Sequence, residues 1–491
     1  MRKLFTIATM LAAITLLWSC DNTNHSTLYT IQVKKNSISC SYDPQTIEIE
    51  YTLMGEPTMV SATTSADWVQ SIDTSTDGKI VLDVAANDDA ERSTTLTISA
   101  AGHVNAKIKL TQIAPPKDTA HTLMFYFFGT SLSRYFKTNI NDAKTAIMSG
   151  ALGNNNRVIY ILQTGSSTAR IREICYAKSS NECVERELET IRLDAKLISP
   201  DDIAANIAKM AEYAPADRYG IVMAGHGQGW IPREVLNGNG AIMSLSTGFG
   251  VWQPAPGAEV TRALGEDNVQ VNPTELAEAI DKSGIDLDYI LFDACFMSNI
   301  EAVYDLRKAA NYIIASPCEI MGDGFPYHRT LPHLFTDNGN TSDFIRAAES
   351  YYIFYRDEYT YMSCGSVAVY DCAEIEALAE TTKRVVATAT SDYDKSELQT
   401  YEGKSVHQFY DFGEWVNVVA TDQAALAAFN AQLENTVIAK YSLSSFYSAY
   451  GSYGTYPIDL DVYSGVTTSA PSEAFPNDWR KTNWYNYVWG E

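Results

Sequence analysis

The stretch "GIVMAGHGQGW", Gly220 to Trp230, decides how this chain is read. Its apolar run Ile221–Ala224 has the look of a buried strand, and it stops on Gly225-His226-Gly227. A second stretch, "YILFDACFMSN" from Tyr289 to Asn299, is built the same way and stops on Asp293-Ala294-Cys295. One strand ends in a base and the other in a thiol. Working outward, dense apolar runs at "HTLMFYFFG" (His121–Gly129) and "RVIYILQT" (Arg157–Thr164) alternate with segments of helical spacing. Those segments are "NINDAKTAIMSGAL" (Asn139–Leu152) and "PDDIAANIAKMAEYAPA" (Pro200–Ala216), the latter with Pro200 at its start and acid in its first turn. "NPTELAEAIDKSG", "NIEAVYDLRKAA", "YIIASPCE" and "SVAVYD" continue the alternation. The pattern predicts an α/β domain with a mainly parallel sheet and helices on both faces. Such sheets carry their chemistry at the carboxyl ends of the strands. If the two strands are neighbours, His226 and Cys295 rise over one sheet edge. The glycines beside His226 leave room for a substrate backbone and expose peptide N–H groups that can act as an oxyanion hole. A cysteine nucleophile needs a proton-transfer partner, and His226 supplies one.

The chain has 491 residues and a formal net charge of −24, which disfavours nucleic acid and anionic surfaces and suits cationic substrates. Its start, "MRKLFTIATMLAAITLLWSC", has a basic head, an apolar body and a small residue before Cys20. That is an export signal over residues 1–19 rather than a membrane span. Leu17-Trp18-Ser19-Cys20 resembles the lipobox of bacterial lipoproteins, although Trp18 is bulky for that motif. The resemblance implies lipidation of Cys20 and anchoring to the outer membrane. The thin signal Asp21-Asn22 leaves the periplasmic and outer faces both open. Eight cysteines are present, and seven remain beyond Cys20, so at least one thiol stays unpaired. No cysteine–histidine cluster has zinc spacing, and no metal site is expected.

Residues 20–27 read as a polar tether. Residues 28–113 carry short period-two runs such as "TIEIEYTL" (Thr46–Leu53) and "AKIKLTQ" (Ala106–Gln112) and predict a small all-β, immunoglobulin-like sandwich. The layout "ADWVQ … NDDAERSTTLTISAAG … IKLTQIAP" resembles the BACON modules of Bacteroidetes surface proteins. That resemblance brings in glycan binding, although Trp68 is read as core rather than as a sugar platform. Residues 114–120 form a linker, and residues 121–491 form the α/β domain.

"AGHGQGW" and "LFDACFM" resemble the two motif blocks of the clostripain family of cysteine peptidases, which have the caspase-like fold. "VTRALGED" (Val260–Asp267), "DYILFDACFMSNIEAVYDLR" (Asp288–Arg307) and "YIIASPCEIMGDGFPY" (Tyr312–Tyr327) follow in the family's order, and the resemblance covers roughly residues 120 to 490. It implies a three-layer sandwich and a Cys295/His226 dyad that hydrolyses peptide bonds. The N–H groups of Gly227 and Cys295 would form the oxyanion hole. The first pocket would use Asp293 and Asp323 to hold Arg or Lys before the cut. Arg233 is the candidate self-cleavage site in the segment after the histidine motif. No cofactor is expected. Calcium, on which some relatives depend, stays open as a ligand: no loop has EF-hand spacing here, but the acidic surplus suits loose binding. The competing reading is a catalytically silent surface protein that binds glycan or protein through its β-sandwich. Cys318 is read as a core thiol, and His407 is placed in a helical region without a role.

Overall fold

A computed structural model of the chain describes residues 29–55, 57–115, 119–129, 131–153, 155–165, 167–192, 199–232, 261–262, 271–335, 341–403, 406–450, 455–469 and 471–490. The signal, the tether with Cys20, and Arg233 lie outside the described residues. The chain divides into two compact units, one N-terminal and one that takes up the chain from Thr111 onward.

Alternating residues shape the first unit. Strands β1 (Tyr29–Val33), β2 (Ser37–Cys40), β3 (Gln45–Leu53), β4 (Val60–Thr63), β5 (Val69–Asp73), β6 (Lys79–Val84), β7 (Arg92–Ala100), β8 (His103–Val104) and β9 (Ala106–Gln112) form two sheets, ordered β5-β6-β3-β1-β8 and β2-β9-β7-β4. Every second side chain of β6 and β7 faces inward, so Ile80, Leu82, Val84, Leu96 and Ile98 build the core with Ile108 and Leu110. Trp68 is buried among them, as the sequence reading holds.

The second unit is organised by a nine-stranded sheet, β13-β12-β11-β10-β14-β16-β17-β19-β21. Its strands are β10 (His121–Phe127), β11 (Asn156–Gly165), β12 (Thr168–Ala177), β13 (Glu182–Arg192), β14 (Arg218–Ala224), β16 (Leu287–Asp293), β17 (Tyr312–Ala315), β19 (Ser366–Asp371) and β21 (Val437–Ser442). Two short strands, β15 (Thr261–Arg262) and β18 (Ile320–Met321), pair antiparallel outside it, and β20 (Tyr410–Asp411) follows β19. The five central strands β11-β10-β14-β16-β17 are parallel, and the four marginal ones are antiparallel. The central strands are apolar throughout because both of their faces are covered. Along β10, Met124 and Tyr126 enter one core while Leu123, Phe125 and Phe127 enter the other. β12 and β13 instead carry alternating charge, and Arg170 and Arg172 reach Glu187 and Glu185 across the pair.

Helices α1 (Ser133–Met148), α2 (Pro200–Tyr213), α3 (Pro273–Ser283), α4 (Ile300–Leu306), α5 (Thr341–Asp357), α6 (Ile375–Val386), α7 (Phe412–Val419), α8 (Gln423–Thr436) and α9 (Asn483–Val488) cover the two faces. Their ends are written locally. Ser199 caps α2 ahead of Pro200. Asn272 and Glu275 form a capping box at α3, which closes on Gly284 in the left-handed region. α2 and α3 bury Ile203, Ile207, Met210, Leu276 and Ile280 on one face of the sheet. α1 and α5 bury Phe136, Ile140, Phe344 and Tyr351 on the other. His407 departs from its expected helix. It lies in an irregular segment before β20, and the helix begins only at Phe412, where Asp411 supplies the cap.

Candidate active site

The strand order places the site. From β10 the chain steps outward to β11 and then returns to the far side of β10 as β14, so connections leave these two strands in opposite directions. A crevice opens at the carboxyl ends of strands where the order reverses in this way. β14 pairs with β16 in register, Ala224 against Asp293, which sets His226 and Cys295 each two residues beyond one rung of the ladder.

Close backbone approach joins the two strand ends. Gly225 N donates to Asp293 O at 3.4 Å. A Cβ placed on Gly227 would stand 2.4 Å from Cys295 O and 3.2 Å from Cys295 N. Gly227 therefore has no alternative, because a side chain there would collide with the backbone that carries the thiol. The third strand end contributes Ser131, whose Oγ lies 3.4 Å from His226 Nε2. Ser131 follows β10 and had no sequence signal, since its partner is 95 residues away.

Cys295 Sγ is held by the chain beyond β17. Ile320 N donates to it at 3.3 Å, and Ile320 O lies 3.8 Å from it. Phe296, directly after the thiol, has φ 60°, a strained value for an aromatic residue. Its N–H donates to Cys318 O at 3.0 Å, and its ring stacks on Phe409 at 4.8 Å. Phe409 is itself fixed by buried Glu402, which accepts from Gln408 N, Phe409 N and His407 Nδ1. That is the structural task of His407. Cys295, Phe296, Trp230, Phe409 and Tyr450 form one apolar cluster, and Cys295 is only 1% exposed.

The two aspartates differ in setting. Asp293 is fully buried, and its Oδ2 accepts from Tyr327 Oη at 2.9 Å and Phe325 N at 3.4 Å. Asp323 is half-buried, two residues before Phe325, and its carbonyl accepts from Asn139 Nδ2 at 2.8 Å. The wall behind them is phenolic, with Tyr355 Oη donating to Gly324 O at 2.9 Å. Among the described residues, no group of acids, histidines and cysteines has the geometry of a metal site.

Helix α4 leads away from the thiol and anchors it. Asn299 caps the helix, and fully buried Glu301 accepts from Thr468 Oγ1, Ser469 N and Trp479 Nε1 through Oε1. A carboxylate in its first turn also suits the helix dipole. Asp305, one turn later, has its carboxyl pushed up to about 6 by burial, against the hydrogen bond from Asn483. The folded chain then keeps a proton that the unfolded chain has lost between about pH 4 and pH 6. Stability should fall as pH rises through that window, by about 2–3 kcal/mol from this group. Asp305→Asn should flatten that part of the profile in thermal melts from pH 4 to pH 7; identical slopes in both chains would refute it.

The model of the clostripain family matches residues 246–461. The chain belongs to the clostripain family of cysteine peptidases. Its caspase-like fold is shared with a secreted cysteine protease of this family from Bacteroides thetaiotaomicron, at 28% identity and a TM-score of 0.65. The match covers 76% of this chain and all of that one. An inactive zymogen from Parabacteroides distasonis matches at 27% identity and a TM-score of 0.63, over 76% of this chain and 99% of its own. A secreted Bacteroides thetaiotaomicron protease in complex with an irreversible peptide inhibitor matches at 26% and 0.62, over 75% of this chain and 98% of its own. No curated protein matches the chain. Clostripain-family members are hydrolases of peptide bonds, and this chain is one of them.

Proposed function

We propose that the chain is a lipid-anchored endopeptidase that cuts after Arg or Lys, with Cys295 as nucleophile and His226 as its proton-transfer partner. The observation that carries this reading is the meeting of the two strand ends, where Gly227 closes on the backbone of Cys295. In this reading the thiolate attacks the scissile carbonyl and His226 protonates the leaving amine. Water then attacks the thioester with His226 as base. The N–H groups of Gly227 and Cys295 belong to backbones in close contact, and they would receive the oxyanion. Because Cys295 is buried, a substrate carbonyl reaches it only when the surrounding cluster yields. Self-cleavage after Arg233 belongs to the same proposal.

The acidic pair divides its work. Buried Asp293 holds Tyr327 and so shapes the pocket wall, while half-buried Asp323 offers its carboxylate to a guanidinium or ammonium. A panel of fluorogenic peptides that varies only the residue before the cut should show turnover with Arg or Lys and negligible turnover with Asp, Asn or Leu. Asp323→Ala should lower kcat/KM for the basic peptides by about ten- to a hundredfold, the worth of one charge-assisted bond. A preference for Asp or Asn would end the pocket assignment, and so would full activity of Asp323→Ala. Lipidation is read separately, as the mass of the mature N-terminus at Cys20.

A further inference from the structure

Helix α1 buries one polar side chain. Of its six buried residues, Phe136, Ile140, Ala143, Ala146 and Ile147 are apolar, and the sixth is Asn139, which is 1% exposed. Asparagine is a poor helix former, and its amide is costly to bury without partners. Its Nδ2 donates to the carbonyl of Asp323 at 2.8 Å, across 184 residues of chain. Asp323 is the residue whose carboxylate is proposed to receive the basic side chain of the substrate.

The neighbours of Asn139 along the same stripe of the helix turn to the same loop. Tyr135 lies four residues before it and Asp142 three residues after it. An added Cβ on Gly322 would stand 2.8 Å from the Tyr135 ring, so the loop approaches that ring as closely as a glycine permits. Asp142 Oδ2 lies 3.2 Å from His328 Nδ1. One face of α1 thus meets Gly322, Asp323 and His328 in turn. The loop does not hold itself in this way. Its turn is closed by Gly324 N, which donates to Met321 O at 2.8 Å, with Gly324 in the left-handed region at φ 67°. That bond leaves the carbonyls of Asp323 and Gly324 to be satisfied from outside the turn. Tyr355 Oη donates to the second at 2.9 Å and Asn139 to the first. The Asp323 peptide is held from α1, while its side chain stays half-buried and keeps access to solvent.

We infer that Asn139 is a positioning residue for substrate specificity: by holding the Asp323 carbonyl it sets where the Asp323 carboxylate stands, and so how well the enzyme binds Arg or Lys before the cut. This rests on the proposed role of Asp323. A carboxylate meets a guanidinium in a two-point fork only when it is held to within about 0.5 Å, and a turn that loses its outside donor no longer holds it so.

A double-mutant cycle in the full-length enzyme tests this. Asn139→Ala should lower kcat/KM for the Arg and Lys peptides by about tenfold, chiefly through KM, because the contact it weakens serves substrate and transition state alike. Agmatine, a guanidinium compound with no peptide bond to cut, should inhibit the variant about tenfold more weakly. In an Asp323→Ala background the same substitution should change kcat/KM by less than about twofold, since the carboxylate it positions is gone. Iodoacetamide should alkylate Cys295 at a rate within about twofold of wild type, because the thiol is untouched. Asn139→Ser, whose hydroxyl can bond to a carbonyl of its own helix, repeats the cycle if the alanine variant does not fold. Wild-type kcat/KM in Asp323→Ala alone would end the pocket reading and this inference with it. An impaired Asp323→Ala beside an unimpaired Asn139→Ala would overturn the inference and leave the pocket standing. Losses that multiply in the double variant, or a matching fall in the iodoacetamide rate, would also overturn it, since they mark a general structural role.

Discussion

Cys295→Ala should remove turnover of the Arg and Lys peptides by about 10⁴-fold or more, the scale on which loss of a covalent nucleophile acts. The fold should persist. The substitution deletes one sulfur held by Ile320 N at 3.3 Å and leaves the surrounding cluster in place, at a cost of about 1 kcal/mol. Circular dichroism melts of both proteins check the second half of that statement. A residual activity above about a hundredth of wild type would place the chemistry elsewhere. Iodoacetamide gives an independent reading. Burial pushes the Cys364 thiol up to about 12 and those of Cys318 and Cys372 further still, so these should resist alkylation at neutral pH. Cys295, as a thiolate partnered by His226, should react ahead of these three, and activity should disappear with it. Alkylation elsewhere with full activity retained would contradict the assignment. The same two preparations report self-processing: a new N-terminus at Glu234 in wild type only supports it, and intact, fully active wild type refutes it.

Gly227→Ala should be nearly as damaging, for a steric reason. The new Cβ would lie 2.4 Å from Cys295 O and 3.2 Å from Cys295 N, and these are backbone atoms of the segment that carries the thiol. They cannot rotate away as a side-chain tip would. Relief requires the strand ends of β14 and β16 to separate by several tenths of an ångström, which shifts the thiol relative to His226. A displacement near 1 Å costs on the order of a hundredfold, so kcat/KM should fall by about that factor or more. Overpacking should also destabilise the fold by about 1–3 kcal/mol. Steady-state kinetics beside a thermal melt separate the two effects. Near-wild-type kcat/KM in a folded Gly227→Ala would show that the two loops are not in contact during catalysis.

The comparison of sequence and structure turns on distance along the chain. His226 and Cys295 were legible because each ends an apolar run, and strand ends follow from period and local punctuation. Trp68 was read as core because a large apolar side chain in a small sandwich is most often buried, and it is buried in the turn just before β5. Ser131 was not, because its approach to His226 depends on β10 lying beside β14. Nor was the role of Ile320, a backbone amide whose side chain carries no chemistry. His407 was misplaced in a helix because a Glu–His pair at Glu402 and His407 replaces helical hydrogen bonds with side-chain ones, and nothing in the local spacing announces that. Asp293 and Asp323 were paired by motif, but their different burial was invisible, since Tyr327 reaches Asp293 from another element.

By itself the sequence determined that an all-β module precedes an α/β domain, where α2 and α3 begin, and that a base and a thiol stand at strand ends. These are local properties of periodicity, caps and turns. The tertiary structure alone decided that β14 and β16 are neighbours, that the order reverses beside β10, and that the thiol is sealed by Ile320 and Phe409. Each of these joins residues far apart in the chain, and such contacts are set by how buried faces fit one another, which no short window of sequence contains.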